Sequence, residues 1–74
     1  MRNEAEKKFR DLLVAARRKA DLTQAELSSR LNRPQSFVAK YEGGERRLEV
    51  AEYVMIARAL GADPYRLLRG AEKT

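Results

Sequence analysis

The placement of Pro34 between two short stretches of helix-forming residues constrains this chain more than any other feature. Pro34 disfavours a helical conformation for Arg33 and fits the first turn of whatever follows, so a helix arriving at Asn32-Arg33-Pro34 must stop there. Upstream, Thr23 stands three residues before Glu26, the spacing of a capping box that satisfies the orphan amides of a new helix. The helix so opened runs through Ala25, Leu27 and Leu31 and is about two turns long, roughly eight residues at ~3.6 per turn. Downstream, a helix starting at Pro34 or Gln35 carries Val38 and Tyr41 inward and closes at Gly43-Gly44, where glycine permits the left-handed ending conformation. The segment Thr23 to Glu42 is therefore predicted to be two short helices flanking a tight turn.

The flanks read as helix too. From Glu4 to Ala20 the apolar positions Phe9, Leu12, Leu13, Ala16 and Ala20 recur at helical intervals among charged residues, and Asp21-Leu22 ends the pattern. Beyond a loop over Glu45 to Leu48, the residues Val50, Val54, Ala57 and Leu60 mark a fourth helix that Gly61 terminates. Asp63 caps and Pro64 opens a short fifth helix bearing Leu67 and Leu68. The core is expected to hold Leu12, Leu27, Leu31, Val38, Val50 and Leu60. The expectation is one all-α domain over residues 4–69, a compact five-helix bundle, with residues 1–3 and 70–74 frayed.

Composition narrows the function. The 74 residues contain no cysteine and no histidine, which removes disulfides, thiolate nucleophiles, imidazole bases and the usual zinc ligands together. Enzymatic chemistry, a metal and a cofactor are accordingly not expected. No apolar run approaches the ~18 residues of a membrane span, and the opening Met1-Arg2-Asn3-Glu4 lacks the apolar stretch of a signal peptide, so a cytoplasmic location is expected. The net charge of +5 suits a polyanionic partner. Residues 1–20 carry seven of the sixteen basic side chains against three of the eleven acidic ones, so the excess lies at the N-terminal end.

The segment Leu22-Thr23-Gln24-Ala25-Glu26-Leu27, with Leu31, Gln35-Ser36, Val38, Lys40-Tyr41-Glu42 and Gly44-Glu45-Arg46, resembles the phage repressor and Cro (XRE-type) family of helix-turn-helix regulators. The similarity runs from about Phe9 to Leu68. Ser28 stands where the family often has Ala, Asn32 where it often has a turn Gly, and Leu48-Glu49 where Pro-Ser is frequent. The resemblance implies a bundle of the phage-repressor type whose second and third helices form the DNA-reading motif.

Such a motif places the start of its second helix in the major groove. The side chains able to reach base edges there are Gln35, Ser36, Phe37 and Lys40, and the family points to the same positions 35, 36 and 40. Glutamine pairs with adenine, serine with several acceptors, and lysine with guanine or phosphate. Phe37 is open to two readings: an exposed phenyl against a thymine methyl, or packing over the second helix. Gln24, Arg33, Arg46 and Arg47 are the candidate phosphate contacts, Gln24 by family resemblance and the arginines by charge and loop position. Arg17 lies on the apolar stripe of the first helix, where an unpaired charge is costly. Some family members pair an arginine there with the glutamate of the Tyr-Glu motif, which corresponds here to Arg17 and Glu42.

One module of this size covers only ~600–1,000 Å² of DNA-facing surface, and regulators of this type gain specificity from two half-sites. The implied state is a homodimer through the last two helices, with Tyr53, Tyr65, Leu67 and Leu68 as the apolar candidates. The expected function is transcription control on double-stranded DNA, as a stand-alone repressor or a locus controller, with no small-molecule effector evident. An antitoxin-like or adaptor module holding a protein partner on the same fold is the alternative.

Overall fold

Four chain reversals set the architecture. In the computed structural model, which describes residues 4–72, the helices are α1 (Glu4–Lys19), α2 (Gln24–Arg30), α3 (Phe37–Glu42), α4 (Val50–Ala59) and α5 (Pro64–Glu72). Each of the first four is followed by one residue in the left-handed region: Asp21 (φ 60°), Asn32 (φ 56°), Gly44 (φ 83°) and Gly61 (φ 68°). At every one, the two amides that follow the helix turn back to its last carbonyls. After α2, for example, Asn32 N–H donates to the Ser29 carbonyl at 3.0 Å and Arg33 N–H to the Ser28 carbonyl at 3.0 Å. This is the Schellman ending, which satisfies the orphan carbonyls and turns the chain sharply. Glycine fills the left-handed position at no steric cost, and the short polar side chains of Asp21 and Asn32 tolerate it.

The helix starts follow local chemistry as well. The Thr23 hydroxyl accepts from Glu26 N–H at 3.0 Å while the Glu26 carboxylate accepts from Thr23 N–H at 2.8 Å, completing the capping box. At α5 the Asp63 carboxylate accepts from Tyr65 N–H at 2.9 Å. The start of α3 departs from expectation. The helix begins at Phe37, two or three residues after the predicted Pro34 or Gln35, because Pro34 to Phe37 closes as a single tight turn with Phe37 N–H on the Pro34 carbonyl at 2.9 Å. Gln35 and Ser36 thus lie on an exposed turn in front of the helix.

The core gathers Leu13, Leu22, Leu27, Leu31, Phe37, Val38, Tyr41, Tyr53 and Ile56, with Phe9, Leu48, Leu60 and Leu67 packed against it. α1 is the spine, touching both α3 and α5, while α2 packs on α3 and α4 on α5. The phase of α4 differs from the sequence expectation. Val50 is 80% exposed, whereas Glu52, Tyr53, Ile56 and Ala57 face inward. Val50 occupies the first position of the helix, before the turn that meets the core, and the Phe9 and Tyr53 rings pack with centroids 5.1 Å apart. Leu12 is half-buried.

Of the C-terminal residues expected to fray, 70–72 continue α5, while 1–3, 73 and 74 lie outside the described residues. Gly70 faces α1 there: a Cβ at that position would come within 3.1 Å of Leu12 Cδ1, so a larger residue would need the Leu12 side chain to shift by a few tenths of an ångström.

Gly61 gives a clean measure of the reversals, since a Cβ there meets nothing within 4 Å and only the backbone conformation resists a side chain. Gly61→Ala is expected to cost about 1–2 kcal/mol, read as a Tm lowered by roughly 4–16 °C for a domain of this size.

Candidate nucleic-acid interface

The two helices of the motif are joined by a side chain as well as by packing. Ser28, fully buried on α2, donates its hydroxyl to the Gln35 carbonyl at 3.2 Å and accepts from Val38 N–H at 3.2 Å. The hydroxyl spans the turn and holds the entrance of α3 against α2, a link that alanine at the same position cannot make.

A second junction fixes α1, α2 and α3 to one another. Arg17 donates Nε to Glu42 Oε2 at 2.8 Å and Nη2 to Glu42 Oε1 at 3.1 Å, and its Nη1 donates to the Leu22 carbonyl at 2.7 Å. Gln24 donates Nε2 to the same Glu42 Oε1 at 2.8 Å. The Arg17 and Glu42 side chains are only 10% and 6% exposed. The hydrogen bonds that Arg17 donates to Glu42 hold its guanidinium above its ordinary value against the opposing effect of burial. Charged groups removed from water need this degree of satisfaction. Gln24, a candidate phosphate contact, therefore spends one amide hydrogen on Glu42, which orients its head group at the start of α2.

Phe37 is buried, at 6% exposure, so the exposed phenyl considered as a base contact is absent. The reason is its helical phase: Phe37 and Tyr41 stand four residues apart on one face, their rings in edge contact with centroids 5.6 Å apart. Two guanidiniums cover the Phe37 ring, Arg33 at 5.2 Å and Arg46 at 5.0 Å from its centroid, within the ~6 Å reach of a cation–π contact.

Both arginines also face Glu52 on α4. Arg46 makes a two-pronged contact, Nη1 to Oε1 and Nη2 to Oε2, each 2.8 Å, while Arg33 Nη1 stands 3.5 Å from Oε2. Glu52 Oε1 further accepts from Glu49 N–H at 3.0 Å, the second half of a helix-start pattern. These donors push the Glu52 carboxyl down to about 2, the Arg46 guanidinium first among them and the Glu49 amide next. Glu52 was not singled out from the sequence, although it follows Glu49 at the same spacing that identified Glu26 after Thr23. Ser28 stands out in the sequence only as a departure from the family's frequent Ala.

The structure brings Ser36 and Lys40 together with Arg33 and Arg46 around one groove of about 250 Å³, floored by Pro34 and Phe37. Gln35, Ser36 and Lys40 are all exposed. Arg47 is set apart, with a 90% exposed side chain 3.8 Å from Glu6. Of the four dimer candidates, Tyr53 is corrected outright: it is 5% exposed and its hydroxyl donates to the Pro64 carbonyl, tying α4 to the head of α5. Leu67 is half-buried against the core, whereas Tyr65 and Leu68 are 76% and 45% exposed. Among the described residues no helix is long and apolar enough to cross a membrane, and no group of three or more acidic, histidine or cysteine side chains is placed to hold a metal ion.

Two outcomes follow from the two carboxylates. Arg17→Met leaves the Glu42 charge buried with Gln24 as its remaining side-chain donor, and is expected to lower stability by about 3–5 kcal/mol in thermal unfolding. Because Glu52 sits well below the ordinary glutamate value, the unfolded chain takes up its proton first. The stability it confers is therefore complete above about pH 4.3 and lost as pH falls toward 2. Tm measured from about pH 5 down to pH 2 should fall less steeply in Glu52→Gln than in the native protein; equal slopes would contradict the assignment.

Residues 8–70 match the family model described as a helix-turn-helix domain. No curated protein matches the chain. Among solved structures, it is similar to an XRE-family like protein from Pseudomonas syringae pv. tomato str. DC3000, at 50% sequence identity and a TM-score of 0.87, over 92% of this chain and 83% of that one. With the all-helical architecture and the Ser28-locked turn between α2 and α3, these matches show that the chain belongs to the XRE-type helix-turn-helix family of DNA-binding regulators.

Proposed function

We propose that this protein is a sequence-specific transcriptional regulator, of the repressor or locus-controller type, that binds palindromic operator DNA as a homodimer in the cytoplasm. The observation that carries this reading is the exposure of Gln35, Ser36 and Lys40 on and just beyond a turn immobilised by Ser28, beside a groove lined by Arg33 and Arg46. Hydrogen-bonding side chains held rigidly next to excess positive charge suit base edges flanked by phosphates. Gln35 and Ser36 are assigned to base edges, Lys40 to guanine or phosphate. Gln24, Arg47 and the Arg33/Arg46 pair form the phosphate-contacting set.

The dimer surface is assigned to α5, where Tyr65 and Leu68 leave apolar area in water that the monomer core does not use. Pairing two copies there supplies the second half-site contact that a single small module lacks. The same apolar face is the one feature that would serve the alternative, a module that holds a protein partner.

Footprinting and gel shift on the DNA upstream of the protein's own gene test both parts. Two symmetric protected half-sites about 34–36 Å apart are expected. Affinity should fall with salt at a log–log slope of about −0.9 per phosphate contact. Gln35→Ala should reduce discrimination among base sequences by about 1–3 kcal/mol. Salt-insensitive or absent DNA binding would favour the protein-partner reading, and a monomer by sedimentation at high micromolar concentration would remove the α5 dimer.

A further inference from the structure

The two arginines over Phe37 are not equivalent. Arg46 has committed the forked edge of its guanidinium: Nη1 donates to Glu52 Oε1 and to the Arg47 carbonyl (3.1 Å), and Nη2 donates to Glu52 Oε2. A phosphate is thereby denied that end-on edge for a two-pronged contact, and the charge of the guanidinium is already met by Glu52. Arg33 meets the same carboxylate only at 3.5 Å, beyond the usual N–H···O range of about 2.7–3.2 Å. On that oxygen, Oε2, Arg33 competes with Arg46 Nη2, which stands closer at 2.8 Å. One carboxylate also cannot neutralise Arg33, Arg46 and the neighbouring Lys40, so the groove keeps a positive excess.

We propose that Arg33, in the turn, grips a backbone phosphate at this end of α3 from its seat on the Phe37 ring, and that Arg46 is a positioning residue that occupies the Glu52 carboxylate and so leaves Arg33 available, without itself touching the phosphate. This rests on the DNA-binding reading above and divides its phosphate set. The buried Phe37 ring is a fixed platform for the Arg33 guanidinium, and Arg46 keeps the Glu52 charge occupied. Without Arg46, the nearest cation for that carboxylate is Arg33 itself, which would be drawn out of service. The groove of about 250 Å³ between Arg33, Ser36 and Lys40 is several times the ~30 Å³ share of one water molecule and admits a phosphate group beside the Arg33 guanidinium.

The rival assignment makes Arg46 the phosphate contact and Glu52 a stand-in that DNA displaces. Fluorescence anisotropy with a fluorescein-labelled duplex of mixed sequence separates them, because phosphate contacts act without sequence and appear in the salt slope between about 50 and 200 mM. Arg33→Gln is expected to reduce the slope by about 0.9, one contact, with the domain still folded by circular dichroism. Arg46→Ala should show a similar reduction as Glu52 captures Arg33, and Arg46→Ala/Glu52→Gln should restore the native slope. A native slope in Arg33→Gln, or a deficit that persists in a folded double variant, overturns the proposal. Should the Arg46 variants fail to fold by circular dichroism, Arg33→Gln, at a half-buried turn position, decides alone. A native protein that binds the duplex with no salt dependence overturns the DNA-binding reading and this proposal with it, which distinguishes the two failures.

Discussion

The carboxylate of Glu42 is the contact on which the rest of the arrangement depends. It stands at the end of α3 and accepts from Arg17 on α1 and Gln24 on α2, while Arg17 also reaches the Leu22 carbonyl in the loop between those helices. Three helices of 16, 7 and 6 residues are thereby referred to one point. Helices as short as α2 and α3 are marginal in isolation, well under the ~12–15 residues needed in water. Their orientation must come from tertiary contacts, and a nearly buried charge satisfied from several directions tolerates few geometries.

Glu52 does for the far side of α3 what Glu42 does for the near side. The first carboxylate anchors the helix to α1 and α2; the second, on α4, gathers Arg33 and Arg46 over Phe37 and so fixes the loops on either side of α3. The exposed face between them is left with Gln35, Ser36 and Lys40. The partition of the positive charge follows from the same two residues: Arg17 and Arg46 are consumed by structure, and Arg33, Lys40 and Arg47 face outward to different degrees. A cation's place in the sequence therefore says little about its availability, which is decided by the carboxylates the fold carries to it.

α4 and α5 are joined to each other differently, by apolar contact and by the Tyr53 hydroxyl on the Pro64 carbonyl. The outer face of α5 keeps Tyr65 and Leu68 in water, and Gly70 faces α1. The reading end and the apolar end of the molecule are connected through α1, which packs on both α3 and α5.

Local chemistry was legible in the sequence. The capping box of Thr23 and Glu26, the cap at Asp63, the terminating glycines and the stop imposed by Pro34 all act through neighbours a few residues apart, so the helices could be placed within a few residues. What proximity along the chain does not encode was missed or misjudged. Phe37 faces in because it stands one helical turn before the buried Tyr41 and meets its ring, a contact that only the packed core reveals. Tyr53 is buried against Phe9 on α1, forty-four residues away in sequence, while Val50 is exposed at the first position of α4. The pairing of Arg46 with Glu52, and the near-pairing of Arg33 with the same group, arise only when the loop after α3 carries the start of α4 beside the α2–α3 turn. The sequence by itself determined where helices start and stop, because caps and turns are short-range. The tertiary structure decided which side chains are spent inside and which remain for a partner, because burial and charge pairing are properties of three-dimensional neighbours.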